Sequence, residues 1–171
     1  MEQNLCLDGL RAWTYGLYLV SSYDEKYKNA LIVNTALQVT AQPAQIAVSI
    51  NKNSFTREIL LKSGKFAVMA LEEQTPFVFI GRFGFRSGRT FHKFENMEIS
   101  VGKNGCPLLL QHTLSAVEAS VLHTVDLPTH TLFIGQVTNT QVFNPTGNPL
   151  TYDYYYKVLK GKTPVGATHL S

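Results

Sequence analysis

Residues 30–40 read Ala30-Leu31-Ile32-Val33-Asn34-Thr35-Ala36-Leu37-Gln38-Val39-Thr40. Alternation over that length has the period of a β-strand rather than of a helix. Leu31, Val33, Thr35, Leu37 and Val39 share one face, while Ile32, Asn34, Ala36 and Gln38 share the other, which turns polar halfway along. A shorter strand follows, with Ile46, Val48 and Ile50 alternating with Ala47, Ser49 and Asn51. Segments 65–71, 114–125 and 131–143 are rich in Val, Phe, Thr and Ile, and another strand is expected over 13–22. Turn signals separate them at Gln42-Pro43, Asn104-Gly105, Leu127-Pro128 and across 144–149.

Helical signals are fewer. Ser54 can cap a helix carrying Phe55, Ile59 and Leu60, which Ser63-Gly64 ends. Thr75-Pro76 opens a second through Phe77, Phe79 and Ile80 as far as Gly84. Strands that do not alternate with long helices argue against a doubly wound parallel sheet. The pattern predicts a mainly β fold, an antiparallel barrel with short helices. One domain is expected over 1–159, followed by a Gly-, Lys-, Pro- and Thr-rich tail over 160–171 with little to bury.

Composition narrows the function classes. A chain of 171 residues with 44% hydrophobic and 16% charged residues can bury roughly 70% of its unfolded surface and needs no disulfide staples. A formal charge of +3 is too mild for a nucleic-acid binder. The longest apolar run, Phe66 to Leu71, falls well short of the roughly 20 residues that span a bilayer. The start, Met1-Glu2-Gln3-Asn4, does not read as a signal peptide, and Cys6 and Cys106 form no CxxC motif. A reducing, cytoplasmic compartment is the expectation.

Several motifs fail. Gly161-Lys162-Thr163 resembles the end of a P-loop, but Tyr156 stands where its first glycine belongs. Gly81, Gly84 and Gly88 have the wrong spacing for a dinucleotide fingerprint. No two of His92, His112, His123, His130 and His169 lie four apart, and no Gly-x-Ser-x-Gly elbow occurs. Metal-dependent and triad hydrolases are therefore excluded.

Other motifs remain. Asn51-Lys52-Asn53-Ser54-Phe55-Thr56 joins a strand to a helix, where unpaired N–H groups seat an anion, or simply form an ordinary capped helix. Arg82-Phe83-Gly84-Phe85-Arg86-Ser87-Gly88-Arg89, continuing to Lys93-Phe94, is either a phosphate-gripping loop or a basic surface. Asn34, Thr35 and Gln38 are either solvent-facing or turned toward a polar heterocycle. His130, between Thr129 and Thr131, opens a strand at a barrel mouth. Tyr152, Tyr154, Tyr155 and Tyr156 form an aromatic cluster that could be a surface contact or a cover over a planar ligand.

Together these segments resemble the flavin reductase-like family of FMN-binding split barrels, in particular flavoredoxins and the flavin reductase domain of high-molecular-weight rubredoxins. The resemblance runs from about residue 13 to residue 164 and is carried by residues 32–40, 83–89 and 129–137. It implies a six-stranded antiparallel Greek-key split barrel that dimerises, with one FMN per subunit near the dimer interface. By position, Asn34, Thr35 and Gln38 would meet the pyrimidine side of the isoalloxazine. Asn51, Ser54 and Thr56 would cradle the ribityl phosphate, helped by Ser87, Gly88, Arg89 and Lys93. His130 corresponds to a histidine near flavin and nicotinamide, although Pro128-Thr129 replaces the Gly-Asp that precedes it in many members.

The implied activity is NAD(P)H-dependent reduction of flavin, with hydride passed to flavin N5. Electrons would go on to a flavin or to a protein such as rubredoxin or a flavodiiron protein. The alternative is a flavoredoxin-type carrier without efficient direct oxidation of NAD(P)H. In rubredoxin-fused relatives a stretch like 160–164 leads into an iron domain with two Cys pairs. This sequence has no such cysteines, so a separate acceptor is expected.

Overall fold

In a computed structural model, which describes residues 7–164 and 166–168, a 3-10 helix (Leu7–Ala12) precedes the first strands. These are β1 (Tyr18–Tyr23), β2 (Lys28–Val33), β3 (Ala36–Ala41) and β4 (Ala44–Asn51). Helix α1 (Phe55–Ser63), β5 (Lys65–Leu71) and helix α2 (Phe77–Gly84) follow. A small hairpin of β6 (Ser100–Val101) and β7 (Pro107–Leu108) leads to the long strands β8 (Thr113–Asp126) and β9 (His130–Val142), and then to helix α3 (Tyr152–Lys157).

The main sheet is antiparallel in the order β2-β1-β5-β8-β9-β4-β3. Its two edge strands, β2 and β3, are consecutive in sequence, and only Asn34 and Thr35 join them. Laid flat, seven strands would put those edges about 28 Å apart. Two linking residues span at most about 11 Å. The sheet must therefore curl into a barrel with its seam at Asn34-Thr35. Beside that seam the Ser49 N–H donates to the Thr35 carbonyl at 3.1 Å and extends the β3–β4 ladder.

Antiparallel β structure with a few short helices is the expected class, but residues 30–40 are not one strand. The break makes the main sheet seven-stranded rather than six-stranded. Its cause is a reversal of phase. Leu31 and Val33 pack into the barrel before the break, Ala36 does so after it, and Leu37 and Val39 are left exposed. Strand β1 also starts later than position 13, because Trp13 follows the 3-10 helix and is 68% exposed.

The barrel interior is filled by Val20, Val48, Ile50, Phe66 and Phe133, with Leu60 of α1 entering from one end. Gly135 is required there: a Cβ would stand 2.6 Å from the Phe66 ring. The opposite face of β1 and β5 (Leu19, Ala67, Met69 and Leu71) is covered by Phe79, Ile80 and Phe83 of α2 and Tyr155 of α3. Helix α1 is flanked by Ser54 at its N-cap and Gly64 at its C-cap, whose φ of 63° is the left-handed geometry that glycine permits. No helix among the described residues is long and apolar enough to cross a membrane.

Candidate functional site

A cavity of about 430 Å3 opens where β2, the β4–α1 junction, the loop after α2 and the chain beyond α3 meet. At one end β4 runs out at Asn51, whose Oδ1 accepts the Asn53 N–H at 2.8 Å, while the Ser54 N–H donates to the Asn51 carbonyl at 3.0 Å. This turn delivers α1 with its first N–H groups lacking helix partners. Ser54 holds the N-cap position but makes no side-chain capping bond, so its hydroxyl remains for a ligand. Ser87, Gly88 and Lys93 line the same cavity. A Cβ on Gly88 would collide with the Asn29 amide, so only glycine fits at that lip.

Lys93 is the dominant charge. Its buried ammonium donates to the carbonyls of Ala30 at 2.9 Å and Phe83 at 3.0 Å, and it forms no ion pair among the described residues. Burial pushes its pKa down to about 8. Arg86 also lines the cavity, and no acidic side chain does so among the described residues. A lining with cations and no carboxylate suits an anion.

The same cavity presents amides. Asn34 Oδ1 accepts the hydroxyls of Thr35 (3.2 Å) and Thr168, whereas its Nδ2 is buried without a partner. Asn51 Nδ2 donates to the Gly166 carbonyl at 2.7 Å. His130 sits opposite Asn51 in the β4–β9 ladder, its Nδ1 2.8 Å from the Thr129 hydroxyl. Burial lowers its pKa, so the imidazole is neutral at pH 7. Tyr152 and Tyr155 of α3 flank the cavity, and Pro164, Gly166, Ala167 and Thr168 complete its wall.

Of the residues singled out from sequence, Asn34, Asn51, Ser54, Ser87, Gly88, Lys93 and His130 line this cavity, and four do not. Thr35 stands behind Asn34, bonded to it and to Thr168. Gln38 is exposed on edge strand β3, where Nε2 donates to the Thr40 carbonyl at 3.2 Å. Thr56 is buried and accepts from Asn29 Nδ2 at 3.1 Å, so it braces a wall residue. Arg89 pairs with Glu58, lies 5.1 Å over the Phe55 ring, and faces a second hollow of about 830 Å3. Sequence reasoning missed Asn29, Gly166 and Thr168. None sits in a local motif; only tertiary pairing brings them in.

An antiparallel barrel whose seam borders a cavity lined by a buried lysine, a helix N-terminus and side-chain amides defines a class: a split barrel with a polar ligand cavity. Residues 10–158 match the flavin reductase like domain, and the chain belongs to that family. It is 44% identical over 155 residues to a ferric-chelate reductase (NAD(P)H) of Archaeoglobus fulgidus, covering 91% of each chain. It is 41% identical to a high molecular weight rubredoxin of Moorella thermoacetica, covering 91% of this chain and 67% of that one. Among solved structures, an FMN-binding protein of Thermus thermophilus crystallised with 1-cyclohex-2-enone superposes with a TM-score of 0.75 at 22% identity. That match covers 94% of this chain and 92% of the other.

Proposed function

We propose that this protein is an FMN-dependent oxidoreductase that takes a hydride from NAD(P)H and passes electrons to a flavin or a redox protein. The observation that carries this reading is the cavity's lining. Lys93, Ser54, Ser87 and Gly88 share it with no carboxylate among the described residues, and so does Asn34 with its orphaned Nδ2. The first group suits a ribityl phosphate, and a ring carrying carbonyl acceptors satisfies the second. The similarity to a ferric-chelate reductase (NAD(P)H) supports nicotinamide as donor, and the similarity to a high molecular weight rubredoxin supports a redox-protein acceptor.

When bound, FMN supplies the ring that accepts hydride at N5 and releases electrons onward. The protein's residues hold and orient. Ser54, Ser87, the Gly88 backbone and Lys93 fix the phosphate, and Asn34 donates to the pyrimidine edge. His130 has Nδ1 engaged by Thr129, so Nε2 is the nitrogen left to meet nicotinamide or ring. Thr35 and Thr56 act behind the cavity, through Asn34 and Asn29. Leu37, Val39, Leu122 and Val125 are exposed without helix cover, which supports a homodimer formed through the uncovered sheet.

The test is an anaerobic titration of the desalted protein with NADH and then NADPH, following the visible flavin spectrum. Rapid bleaching of a bound flavin band is the expected result. A band that stays oxidised until dithionite or a partner protein is added would replace the reductase with an electron carrier. No band after incubation with FMN would remove the cofactor assignment.

A further inference from the structure

The family match ends at residue 158, yet the chain runs on across the cavity. Two anchors hold this extension. At the first, the Tyr155 hydroxyl donates to the Lys162 carbonyl at 2.9 Å, Tyr152 bonds Thr163, and Gly161 packs so tightly on the Tyr155 ring that a Cβ would overlap it. At the second, Gly166 accepts from Asn51 Nδ2, and Thr168 bonds both Asn34 and Thr35. Gly166 has a φ of +85°, and a Cβ there would stand 2.8 Å from Asn51 Nδ2, so a glycine lets the chain pass over this amide.

We propose that residues 160–164 and 166–168 form a strap that is a working wall of the flavin site, with Thr168 as the residue that positions the Asn34 amide. The proposal rests on the FMN reading above. With the strap seated, the cavity still measures about 430 Å3, within the range of roughly 300–1,000 Å3 for small-molecule sites. The strap walls the site and does not plug it. The Asn34 carboxamide shows how it acts. Two hydroxyls hold the oxygen, so the nitrogen is the end left unpartnered. A buried donor without an acceptor is unfavourable until a ligand supplies one. Thr168 thereby decides that a ligand meets an N–H, which reads a ring acceptor. Without that hydroxyl the amide can turn over and present oxygen to oxygen. A hydrogen bond donated to the ring strengthens as reduction adds negative charge, so the same contact bears on potential as well as affinity.

The experiment uses the full chain and measures FMN affinity by fluorescence quenching and the midpoint potential of the bound flavin. Thr168→Val is expected to weaken FMN about tenfold, the loss of one net hydrogen bond, and to make the potential more negative. Thr168→Ser should restore both. Adding Thr168→Val to Asn34→Ala should cost nothing further, because the two act through one amide. Wild-type affinity and potential in Thr168→Val would overturn the proposal, as would losses in the two variants that simply add. If the unaltered chain binds no FMN, the underlying cofactor reading fails first, which is a separate and visible outcome.

Discussion

Lys93 holds its ammonium between two backbone carbonyls with burial opposing the charge, so it titrates near 8 rather than at its ordinary 10.5. Between those values the unfolded chain binds the extra proton. Stability gained from deprotonation therefore rises with pH across that window, and the cost is fully present below about 8. The same titration sets phosphate affinity. FMN binding is expected to weaken about tenfold per pH unit once the pH exceeds the lysine's pKa. Riboflavin, which lacks the phosphate, should show no such slope, and Lys93→Met should flatten it for FMN. Titrations of both ligands from pH 7 to pH 10 check this.

His130 differs. Burial lowers its pKa, so it stays neutral as pH falls into the ordinary histidine range, where the unfolded chain takes up the proton first and stability declines. His130→Ala is expected to retain FMN and lower kcat by about tenfold, short of the ~100-fold that a proton-transfer group supplies. Stopped-flow reduction by NADH measures it. At this scale part of the cavity lining was legible in sequence, because Ser54, Ser87, Gly88 and Lys93 belong to local turn and loop signals. Thr168 and Asn29 were not, since nothing within a few residues of either marks a site. Gln38 shows the reverse: it reads as site-facing and lies exposed on β3.

Among the elements, the hairpin of β6 and β7 is too short to leave a periodic signal. It is held instead by Glu118 of β8. This buried carboxylate accepts the Asn104 N–H at 2.6 Å, Asn139 Nδ2 at 2.8 Å and Gln141 Nε2 at 3.3 Å. Burial alone would raise its pKa, but these donors outweigh it and hold the carboxyl below its usual value. Its contribution is therefore present above the ordinary glutamate range and is lost as pH falls through the lowered folded value. Glu118→Ala is expected to cost about 3 kcal/mol, because three donors lose a charged acceptor, and urea denaturation measures it. Glu118→Gln should reduce the acid sensitivity of the melting temperature. Residues 30–40 teach a related lesson. Alternation correctly reported extended chain on both sides of Asn34-Thr35, yet it carries no mark of a phase reversal, because the polar pair fits an unbroken strand equally well.

For the molecule as a whole, antiparallel β architecture was legible because Val-, Ile- and Phe-rich alternation recurs along the chain with turns between. Closure was not, because it depends on which strands form the two edges. The barrel leaves Leu37 50% and Leu122 46% exposed on strands that no helix covers. Light scattering after gel filtration is expected to give twice the 19.1 kDa chain mass. Leu37→Glu combined with Leu122→Glu should return it to one. A monomer in the unaltered protein would remove the dimer from the functional reading.

The seam has a further consequence. Asn34 and Thr35 join the two edge strands, and Asn34 also lines the cavity with the Thr35 hydroxyl bonded to it, so occupancy and closure bear on the same pair. A ligand at 100 times its Kd adds about 2.7 kcal/mol to the folded state. The part of that gain resisting local opening should concentrate where the two edges meet. The Ser49 N–H, which extends the β3–β4 ladder to Thr35 beside the seam, is the natural reporter. Loading the protein with FMN should slow its exchange with deuterated solvent more than it slows amides at the centre of β5 and β8.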